Sequence, residues 1–414
     1  MKSDLDTLML SNHIDALLIT GPAMHNPPMT YFTGGVHVTG ADLIVKRGEA
    51  PLLFYNDMER DEAARTGLAT KSLEAYRLPD LLKKSNGNPV EATILRYQQM
   101  LTDLGLTSGR IALYGKIDAG AAYAIFSGLQ RAMPDLEFVG QGDDSLLLKA
   151  RTTKDADEVQ RIRRMGQITT EVVGLTADFL TSHRARDGVL VKPDGEPLTI
   201  GEVKRRINLW LVERGAENPH GTIFAIGYDS AVHHSSGTDS DRLHLGETIV
   251  FDIYPCEAGG GYFYDLTRTW CLGYATDEAQ ALYGDVLAVY QQVLSELEPG
   301  VHYPRFQQRA CELFEAHGHP TQRSDPQTQR GYVHSLGHGV GMDIHERPFS
   351  GRNASPQDIL EPGSVVSHEP GLYYPERKLG VRLEDTLWVR PDGSPEILAE
   401  YPLDLILPIK TEGA

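Results

Sequence analysis

Residues Glu247–Gly273, ETIVFDIYPCEAGGGYFYDLTRTWCLG, decide how the chain is expected to fold. Two runs of β-branched and aromatic residues flank a glycine-rich turn, a pattern typical of a β-hairpin. Asp252 lies in the first run and Asp265 in the second. A two-residue turn centred on Ala258 and Gly259 would place the two aspartates directly opposite each other, where like charges destabilise a strand pair.

Paired acids inside an apolar hairpin need a physical reason. The hairpin could lie at an exposed edge with its acids in water, one carboxyl could be protonated, or a cation could lie between them. A second hairpin repeats the arrangement, because Val365–Tyr374 and Val381–Val389 flank the turn segment PERKLG. A turn centred on residues 376–377 places Glu369 opposite Glu384. Four converging carboxylates predict a site for hard or borderline divalent cations.

Length and composition limit the possible classes of protein. A chain of 414 residues is too long for one ordinary core, so two domains are expected. The net charge of −18 disfavours nucleic acid and anionic membranes as partners. The sequence contains no apolar run of about 18 residues, which a membrane helix requires. Three cysteines without CxxC spacing, and an N-terminus without a secretory apolar region, make the cytoplasm the expected location.

The chain is predicted to divide near residue 150. Residues 1–150 alternate strand and helix signals, which predicts an α/β domain, and no glycine-rich phosphate loop follows its strands. A polar segment at Leu147–Asp157 marks the boundary, and residues 151–414 form the second domain. The two similar acid hairpins predict that this second domain has pseudo-two-fold symmetry. Between its first two helices lies a polar insertion, Ser182–Pro197, with two turn signals.

Periodicity gives the individual elements. The predicted strands outside the hairpins are Asp15–Gly21, Ala41–Lys46, Pro51–Tyr55, Arg110–Tyr114, Leu136–Val139 and Thr222–Ile226. The predicted helices are Met58–Thr66, Pro89–Leu104, Ala119–Met133, Ala156–Leu180, Ile200–Arg214, Asp277–Leu297 and Tyr303–His317.

Histidines cluster in the segment YVHSLGHGVGMDIHERPF at residues 332–349. A lone histidine is more often structural than catalytic, but three within twelve residues, with two acid hairpins elsewhere, predict a functional site. The spacing is not that of the HExxH zinc helix. His338 suits a neutral imidazole ligand, and His345 suits an outer or substrate-contacting role. His334 is a further substrate-binding candidate, and His234 lies in a loop before Asp252.

The ordered set of acids and histidines resembles the pita-bread metallopeptidases. This family includes methionine aminopeptidase, aminopeptidase P, prolidase and the metal-free creatinase. The resemblance covers nearly the whole chain and implies an α+β fold, with an N-terminal α/β creatinase-like domain before a pseudo-two-fold pita-bread catalytic domain. That N-terminal domain points to the creatinase, prolidase and aminopeptidase P branch. The matching motifs are Asp252 in FDIYP, Asp265 in YDLTRTW, His338 in GHGVG, His345 in DIHE, Glu369 in HEPGLY and Glu384 in VRLED.

The resemblance also implies a reaction chemistry. Two divalent ions per chain would share the site. Manganese is the metal expected from the family, and cobalt, zinc or iron are the alternatives. A hydroxide between the ions would be the nucleophile. Glu369 would shuttle a proton to the leaving nitrogen, and His234 and His345 would polarise the scissile carbonyl or hold the oxyanion. As implied metal ligands, Asp252 would bind one ion, His338 and Glu369 the other, and Asp265 and Glu384 both.

Three departures from the family pattern affect the substrate pocket and leave the ligand set intact. Asp252 and Asp265 are farther apart in sequence than is usual, His368 precedes Glu369 where an apolar residue or threonine is common, and Ser182–Pro197 is longer than the usual link. The expected function is therefore a metal-dependent exopeptidase acting on short peptides, foremost at Xaa-Pro bonds, as a dipeptidase or an aminopeptidase. The alternatives are a carboxypeptidase for longer peptides and a metal-free peptide- or protein-binding module. A homodimer is expected from the family.

Recognition of the substrate terminus is a separate question. Arg382 lies two residues before Glu384, on the same strand face. Its planar fork could grip a substrate carboxylate, or it could form a salt bridge to a metal-ligand carboxylate, which is the favoured alternative in so acidic a site. Arg184, Arg186 and Lys192 in the insertion are other candidate anchors for a free C-terminus.

Overall fold

The computed structural model describes residues 4–142 and 145–411 of the chain. It divides into two compact units. The first contains Met1–Ala150 together with the short segment Gly259–Gly261, and the second contains Arg151–Ala258 and Tyr262–Ala414. Within the described residues, no helix is long and apolar enough to cross a membrane.

The first unit is built on a six-stranded mixed sheet. The strand order is β4-β3-β2-β1-β5-β6, in which β2 is antiparallel to its neighbours β1 and β3 and all other adjacent pairs are parallel. Residues on both faces of the central strand β1 are fully buried, which explains its continuous apolar run. The helices are α1 Leu5–Ser11, α2 Pro27–Thr33, α3 Arg60–Arg65, α4 Leu78–Lys84, α5 Pro89–Asp103, α6 Ala119–Ala132 and α7 Leu146–Arg151; the strands are β1 Ala16–Gly21, β2 Ala41–Lys46, β3 Leu52–Tyr55, β4 Ala69–Ser72, β5 Gly109–Gly115 and β6 Leu136–Gly140.

The second unit contains two larger sheets, whose strands pair antiparallel except for the parallel pair β13–β23, together with two helix pairs. One sheet has the order β10-β11-β13-β23 and the other β16-β15-β18-β21-β22. A bridge between Thr267 and Glu384 joins a strand of the first to the end of a strand in the second. Helix α8 packs on α9, and α10 packs on α11. The helices are α8 Ala156–Ser182, α9 Ile200–Glu213, α10 Asp277–Glu296 and α11 Pro304–Ala316; the strands that matter most are β7 Arg184–Arg186, β8 Val189–Val191, β10 Thr222–Ile226, β11 Thr248–Ile253, β13 Leu266–Leu272, β15 His338–Gly339, β16 Glu346–Phe349, β18 Val365–His368, β19 Gly371–Tyr374, β20 Leu379–Arg382 and β21 Asp385–Val389.

The remaining strands of this unit are short. They are β9 Ala216–Glu217, β12 Cys256–Glu257, β14 Val301–His302, β17 Ile359–Leu360, β22 Pro395–Ile397, β23 Ile406–Leu407 and β24 Lys410–Thr411. All three cysteines are free and buried.

Most predicted elements are confirmed to within two residues at their ends. Helix α8 begins at a capping box in which Asp155 and Glu158 exchange side-chain to backbone hydrogen bonds. The polar insertion contains a short hairpin, β7–β8, which sequence patterning did not predict. Strand β4 was also missed, because its sequence ATKS is largely exposed and lacks an apolar signal.

The predicted register of the first hairpin is wrong by two residues. Asp252 pairs with Thr267, not with Asp265. The turn is centred on Gly259 and Gly260, whose φ angles are 88° and 81°, because a tight hairpin turn requires two positive φ values that alanine at position 258 disfavours. A shift of two residues keeps the strand faces unchanged, so Asp265 still lies on the same side as Asp252.

The predicted register of the second hairpin is confirmed on both sides of its acid pair. Strand β18 pairs His368 with Asp385, and β19 pairs Gly371 with Arg382. The same register, continued through the short gap, sets Glu369 across from Glu384.

Candidate metal centre

Four carboxylates converge where regular strand pairing is interrupted. Asp252 lies within β11, and Asp265 immediately precedes β13. Glu369 lies between β18 and β19, and Glu384 lies between β20 and β21. The interruptions leave these side chains on the inner face of two sheets, where backbone ladders no longer dictate their spacing. This position lets acids from four segments approach one another.

His338 lies next to the carboxylates because the backbone on either side of it packs very close to β18 and β16. A Cβ on Gly337 would lie 2.1 Å from the carbonyl oxygen of Ser367, and a Cβ on Gly339 would lie 2.1 Å from that of Arg347. Only glycine fits at both positions, which accounts for the GHG sequence. The His338 Nε2 atom lies 3.7 Å from Asp265 Oδ2 and 3.4 Å from Glu369 Oε1.

Asp265, His338 and Glu384 each offer a ligand atom within 4.8 Å of the others. All three side chains are buried. Burial, and then the charge of His345, lower the pKa of His338 to about 3, so its ring is neutral and able to bind a metal.

Three acids of this cluster, Asp265, Glu369 and Glu384, resist ionisation without a cation. Burial, and then the charges of Asp252 and Glu369, raise the pKa of Asp265 well above its usual range. Burial and the neighbouring acids do the same for Glu384, and burial raises the pKa of Glu369 to about 8. Three buried oxygens, Oδ1 of Asp252, Oδ1 of Asp265 and Oε1 of Glu384, have no hydrogen-bond partner among the described residues. Buried carboxylate oxygens without donors are the arrangement that divalent cations satisfy.

The charge of the cluster agrees with this interpretation. Among residues 4–142 and 145–411, Arg382 is the one arginine or lysine that forms an ion pair with any of the four carboxylates. When all four carboxylates are ionised, as metal ligands must be, they and the one guanidinium leave an excess of three negative charges, which divalent ions would compensate. The donor set of oxygens with one imidazole suits manganese, iron, cobalt or zinc.

Two roles were predicted for Arg382, and the structure shows the salt bridge to a carboxylate of the candidate metal site. Its Nη2 atom lies 2.5 Å from Asp252 Oδ2, and its Nη1 donates to the carbonyl of His233 and to the hydroxyl of Tyr373. Its Nε donates to Thr267 Oγ1. The side chain is 3% exposed, so the prediction that it binds a substrate carboxylate is not supported.

Two predicted catalytic histidines lie at the exposed side of the cluster. His234 and His345 are exposed, and the His345 ring lies 4.3 Å from that of His338 in an edge-to-face arrangement. Partial burial, and then the charge of His234, lower the pKa of His345. His345 is therefore a partly accessible imidazole next to His338, the candidate metal ligand.

His334, the candidate for substrate binding, is held by protein groups. Its Nδ1 lies 2.8 Å from the carbonyl of Ser335, and its Nε2 lies 3.1 Å from the Tyr373 hydroxyl. Its Nδ1 is also 3.7 Å from Glu369 Oε2. Burial, and then the charge of Arg382, lower the pKa of His334 well below its usual range. His334 therefore borders the carboxylate cluster as a neutral side chain.

Sequence reasoning missed the hydroxyls that orient the carboxylates. Thr267 donates to Glu384 Oε2 at 2.6 Å, and Ser367 donates to Glu369 Oε1 at 3.2 Å. The Thr386 hydroxyl accepts from the backbone nitrogen of Asp265. Strand periodicity could have found Thr267, which lies two residues after Asp265 on the same face.

The site and the two-unit architecture define a class: a metal-dependent peptidase with an additional N-terminal domain. Residues 160–391 match the model of metallopeptidase family M24, and residues 3–151 match that of the creatinase/prolidase N-terminal domain. The chain belongs to metallopeptidase family M24. Its fold is accordingly the α+β pita-bread fold preceded by a creatinase-like domain.

Curated relatives extend over nearly the whole chain. The Xaa-Pro dipeptidase of Pyrococcus horikoshii is 25% identical over 387 residues, which cover 93% of each chain. The Xaa-Pro dipeptidase of Pyrococcus furiosus is 24% identical and covers 95% of this chain and 97% of its own.

Solved structures share the fold. A dipeptidase from Pyrococcus horikoshii superposes with a TM-score of 0.73 at 22% identity, covering 97% of this chain and 98% of its own. An X-Pro aminopeptidase from Thermotoga maritima gives a TM-score of 0.72 at 23% identity, covering 95% of this chain and 97% of its own. A dipeptidase and an X-Pro aminopeptidase thus share one fold with this chain.

Proposed function

We propose that the protein is an exopeptidase that hydrolyses short peptides at Xaa-Pro bonds, with two divalent ions per chain. The observation that carries this proposal is the cluster of three buried carboxylates and the partly buried Glu369 around one neutral histidine, in which three carboxylate oxygens have no hydrogen-bond partner among the described residues. Relatives that are Xaa-Pro dipeptidases over nearly their full length support the choice of substrate. The complete ligand set argues against a metal-free binding module.

Asp252, Asp265, His338, Glu369 and Glu384 would hold the ions. Bound divalent ions lower the pKa of water to near 7 and polarise a carbonyl oxygen. Manganese remains our choice of metal, and metal analysis of the purified protein tests both its identity and the ratio of two ions per chain.

Glu369 is the residue best placed to move a proton. It lies beside His338, and burial raises its pKa to about 8 in the absence of metal, which favours the protonated form. It would take the proton of the attacking water and deliver it to the leaving nitrogen. The exposed His234 and His345 would donate hydrogen bonds to the substrate carbonyl as its oxygen becomes negative.

A cleavage assay over matched peptides tests the substrate class. Ala-Pro, Ala-Pro-Ala and a longer peptide that begins with Ala-Pro should be compared with the same series carrying Ala in place of Pro, with products identified by mass. Faster hydrolysis of the proline series is the expected result. Equal rates for both series would reject the Xaa-Pro assignment.

Terminal modification identifies the peptide end that is recognised. We propose that a free C-terminus matters, as in a dipeptidase, so amidation of a good substrate should slow its cleavage. If amidation is harmless and N-terminal acetylation abolishes cleavage, the enzyme is an aminopeptidase. If acetylated longer peptides still lose their last residue, the carboxypeptidase alternative is correct.

The proposal includes a homodimer, as expected from the family. Light scattering at micromolar concentration should give twice the chain mass of 45.7 kDa. A species of single-chain mass alone would contradict it.

A further inference from the structure

A large cavity lies in the second unit, lined by the polar insertion and by helices α8 and α9. Its volume is about 1180 Å³, and none of the carboxylates or histidines of the metal centre lines it. The insertion contributes the β7–β8 hairpin to one wall. The cavity is therefore a feature separate from the candidate metal centre.

Positively charged residues outnumber negatively charged ones in the lining of this cavity, although the chain as a whole is acidic. Asp and Glu outnumber Lys and Arg by 57 to 39 in the sequence, whereas the cavity is lined by four arginines and one lysine and by only two acids. The cationic residues are Arg184, Arg186, Lys192, Arg205 and Arg206. Such a local reversal of charge raises the concentration of anions at the cavity.

Protein carboxylates compensate only part of this charge. Lys192 forms an ion pair with Glu202 at 2.9 Å. In the described part of the chain, no carboxylate lies within ion-pair distance of Arg184, Arg205 or Arg206. Like charges in one cavity repel each other, so the arrangement favours an anion that lies between them.

Two of the arginines are held in defined positions. Arg186 donates to the carbonyl of Gly195, whose missing side chain leaves room for the guanidinium: a Cβ there would lie 3.2 Å from Arg186 Nη1. The guanidinium carbon of Arg206 lies 5.8 Å from the centre of the Phe179 ring. Preorganised planar forks are suited to carboxylate, sulfonate and phosphate groups.

Apolar groups complete the lining. Phe179, Val191, Leu198 and Leu209 border the cavity, and Leu209 is 56% exposed although it is a large apolar residue. A cavity of this size that combines apolar walls with a few convergent charges is typical of a small-molecule site. We propose that it binds a small organic anion with at least two acidic groups and an apolar body.

Binding of naphthalene-1,5-disulfonate to the metal-loaded full chain tests the proposal, because this probe is a planar dianion that does not chelate the metals. Calorimetry should show one saturable site per chain whose affinity falls with added salt. The monoanion naphthalene-2-sulfonate should bind more weakly. Absence of saturable binding at millimolar probe would overturn the proposal.

The double substitution Arg205→Gln/Arg206→Gln should weaken probe binding roughly tenfold or more, since two charge-assisted hydrogen-bond donors are lost. A matched control, Arg164→Gln/Arg305→Gln, removes two exposed arginines that do not line the cavity and should leave the affinity unchanged. Peptide hydrolysis should be unchanged in both variants. Arg184→Gln provides the same test with a single exposed residue if the double variant folds poorly.

Equal weakening in the control would show non-specific attraction, and unchanged affinity in Arg205→Gln/Arg206→Gln would place the probe elsewhere. A change of oligomeric state in place of a change in affinity would assign the cavity to a protein interface. Each of these three results contradicts the proposal.

Discussion

The second unit contains two acid clusters in which the pKa of a buried glutamate is shifted in opposite directions. Glu346 and Glu384 are each only 1% exposed. Burial opposes the ionisation of Glu346, but the charges of Arg151 and Lys154 outweigh it and lower its pKa to about 2. Burial and its acidic neighbours raise the pKa of Glu384 well above its usual range. Equal burial thus gives opposite shifts, and the difference lies in the number of cations supplied by the protein.

The Glu346 cluster is complete within the protein. Arg151 Nη2 lies 2.6 Å from Glu346 Oε1, and Lys154 Nζ lies 3.1 Å from Oε2. The backbone nitrogens of Met342 and Asp343 also donate to Oε1. Within residues 4–142 and 145–411, the Glu384 cluster leaves oxygens without donors, so full ionisation of its acids requires a cation from outside the chain. The comparison therefore separates a structural ion cluster from a cation-binding one.

The largest expected effect is on catalysis. Asp265→Asn keeps the shape of the side chain and removes its charge, so stabilisation of the transition state by the metals should fall by several kcal/mol. At 1.36 kcal/mol per factor of ten, kcat should fall roughly 10³-fold at saturating metal. Steady-state kinetics with a good dipeptide measures this, and Asp178→Asn, an exposed residue of α8, is the control. Near-normal turnover of Asp265→Asn would contradict the assignment of the Glu384 cluster as a cation-binding site.

The reverse pattern is expected at the Glu346 cluster. Glu346→Gln removes the buried carboxylate charge that contacts both Arg151 and Lys154, which should destabilise the second unit by roughly 3 kcal/mol. Asp343→Asn is the matched control, because Asp343 contacts the same Arg151 Nη2 but its side chain is 47% exposed. The free energy of unfolding of Asp343→Asn should be lower than that of the wild type by less than about 1 kcal/mol. Denaturant midpoints of the three proteins measure both effects, and equal costs would contradict the assignment.

The stabilising effect of Glu346 should depend on pH in one direction. Because its pKa is lowered in the folded state, its contribution is complete above the ordinary value near 4.5 and is lost as pH falls towards about 2. The difference in unfolding free energy between wild type and Glu346→Gln should be constant from pH 5 to 8 and shrink below pH 4.5. A difference that grows on acidification would have the wrong sign.

Metal removal should change stability by a smaller amount and separate the two clusters. Metal at 100 times its dissociation constant stabilises the folded state by about 2.7 kcal/mol, so chelation should lower the Tm of the wild type. In the metal-free protein, Asp265→Asn should raise the Tm above that of the wild type, since it removes one of the repelling carboxylates. In the metal-loaded protein the order should reverse. A Tm that does not respond to chelator would contradict a metal centre here.

Sequence patterning found the acids because an isolated charge inside a β-branched run is conspicuous. It placed the second pair in the observed register, with residues 376–377 at the centre of the turn. The first register failed because the choice between Ala258–Gly259 and Gly259–Gly260 depends on backbone φ.

The contacts of Arg382 could not be predicted from the sequence, for a different reason. Its position on a strand indicates which face it occupies, but not that Asp252, on another strand, lies 2.5 Å away. The Glu346 cluster also escaped prediction, because Arg151 and Lys154 are almost 200 residues away in sequence. Contacts between distant segments therefore decide which acids are neutralised by the protein and which are left for a metal.

The smallest expected effect concerns a hydroxyl that links the cluster to Arg382. Thr267 donates to Glu384 Oε2 at 2.6 Å and accepts from Arg382 Nε at 3.2 Å. Thr267→Val keeps the shape and removes both bonds, so Glu384 loses its orientation. Loss of such an outer hydrogen bond typically costs 10–100-fold in metal affinity, and we expect about tenfold here. At saturating metal, most of the turnover should return.

Thr269→Val is the matched control for this substitution. Thr269 lies two residues further along β13, is equally buried, and bonds the backbone of Arg382 instead of a carboxylate. Both variants should lose stability, because each removes a buried hydroxyl's hydrogen bonds, but only Thr267→Val should shift the metal titration of activity. An equal shift in both would mean that Thr267 acts through the strand, and that the hydroxyl does not orient Glu384 for the metal.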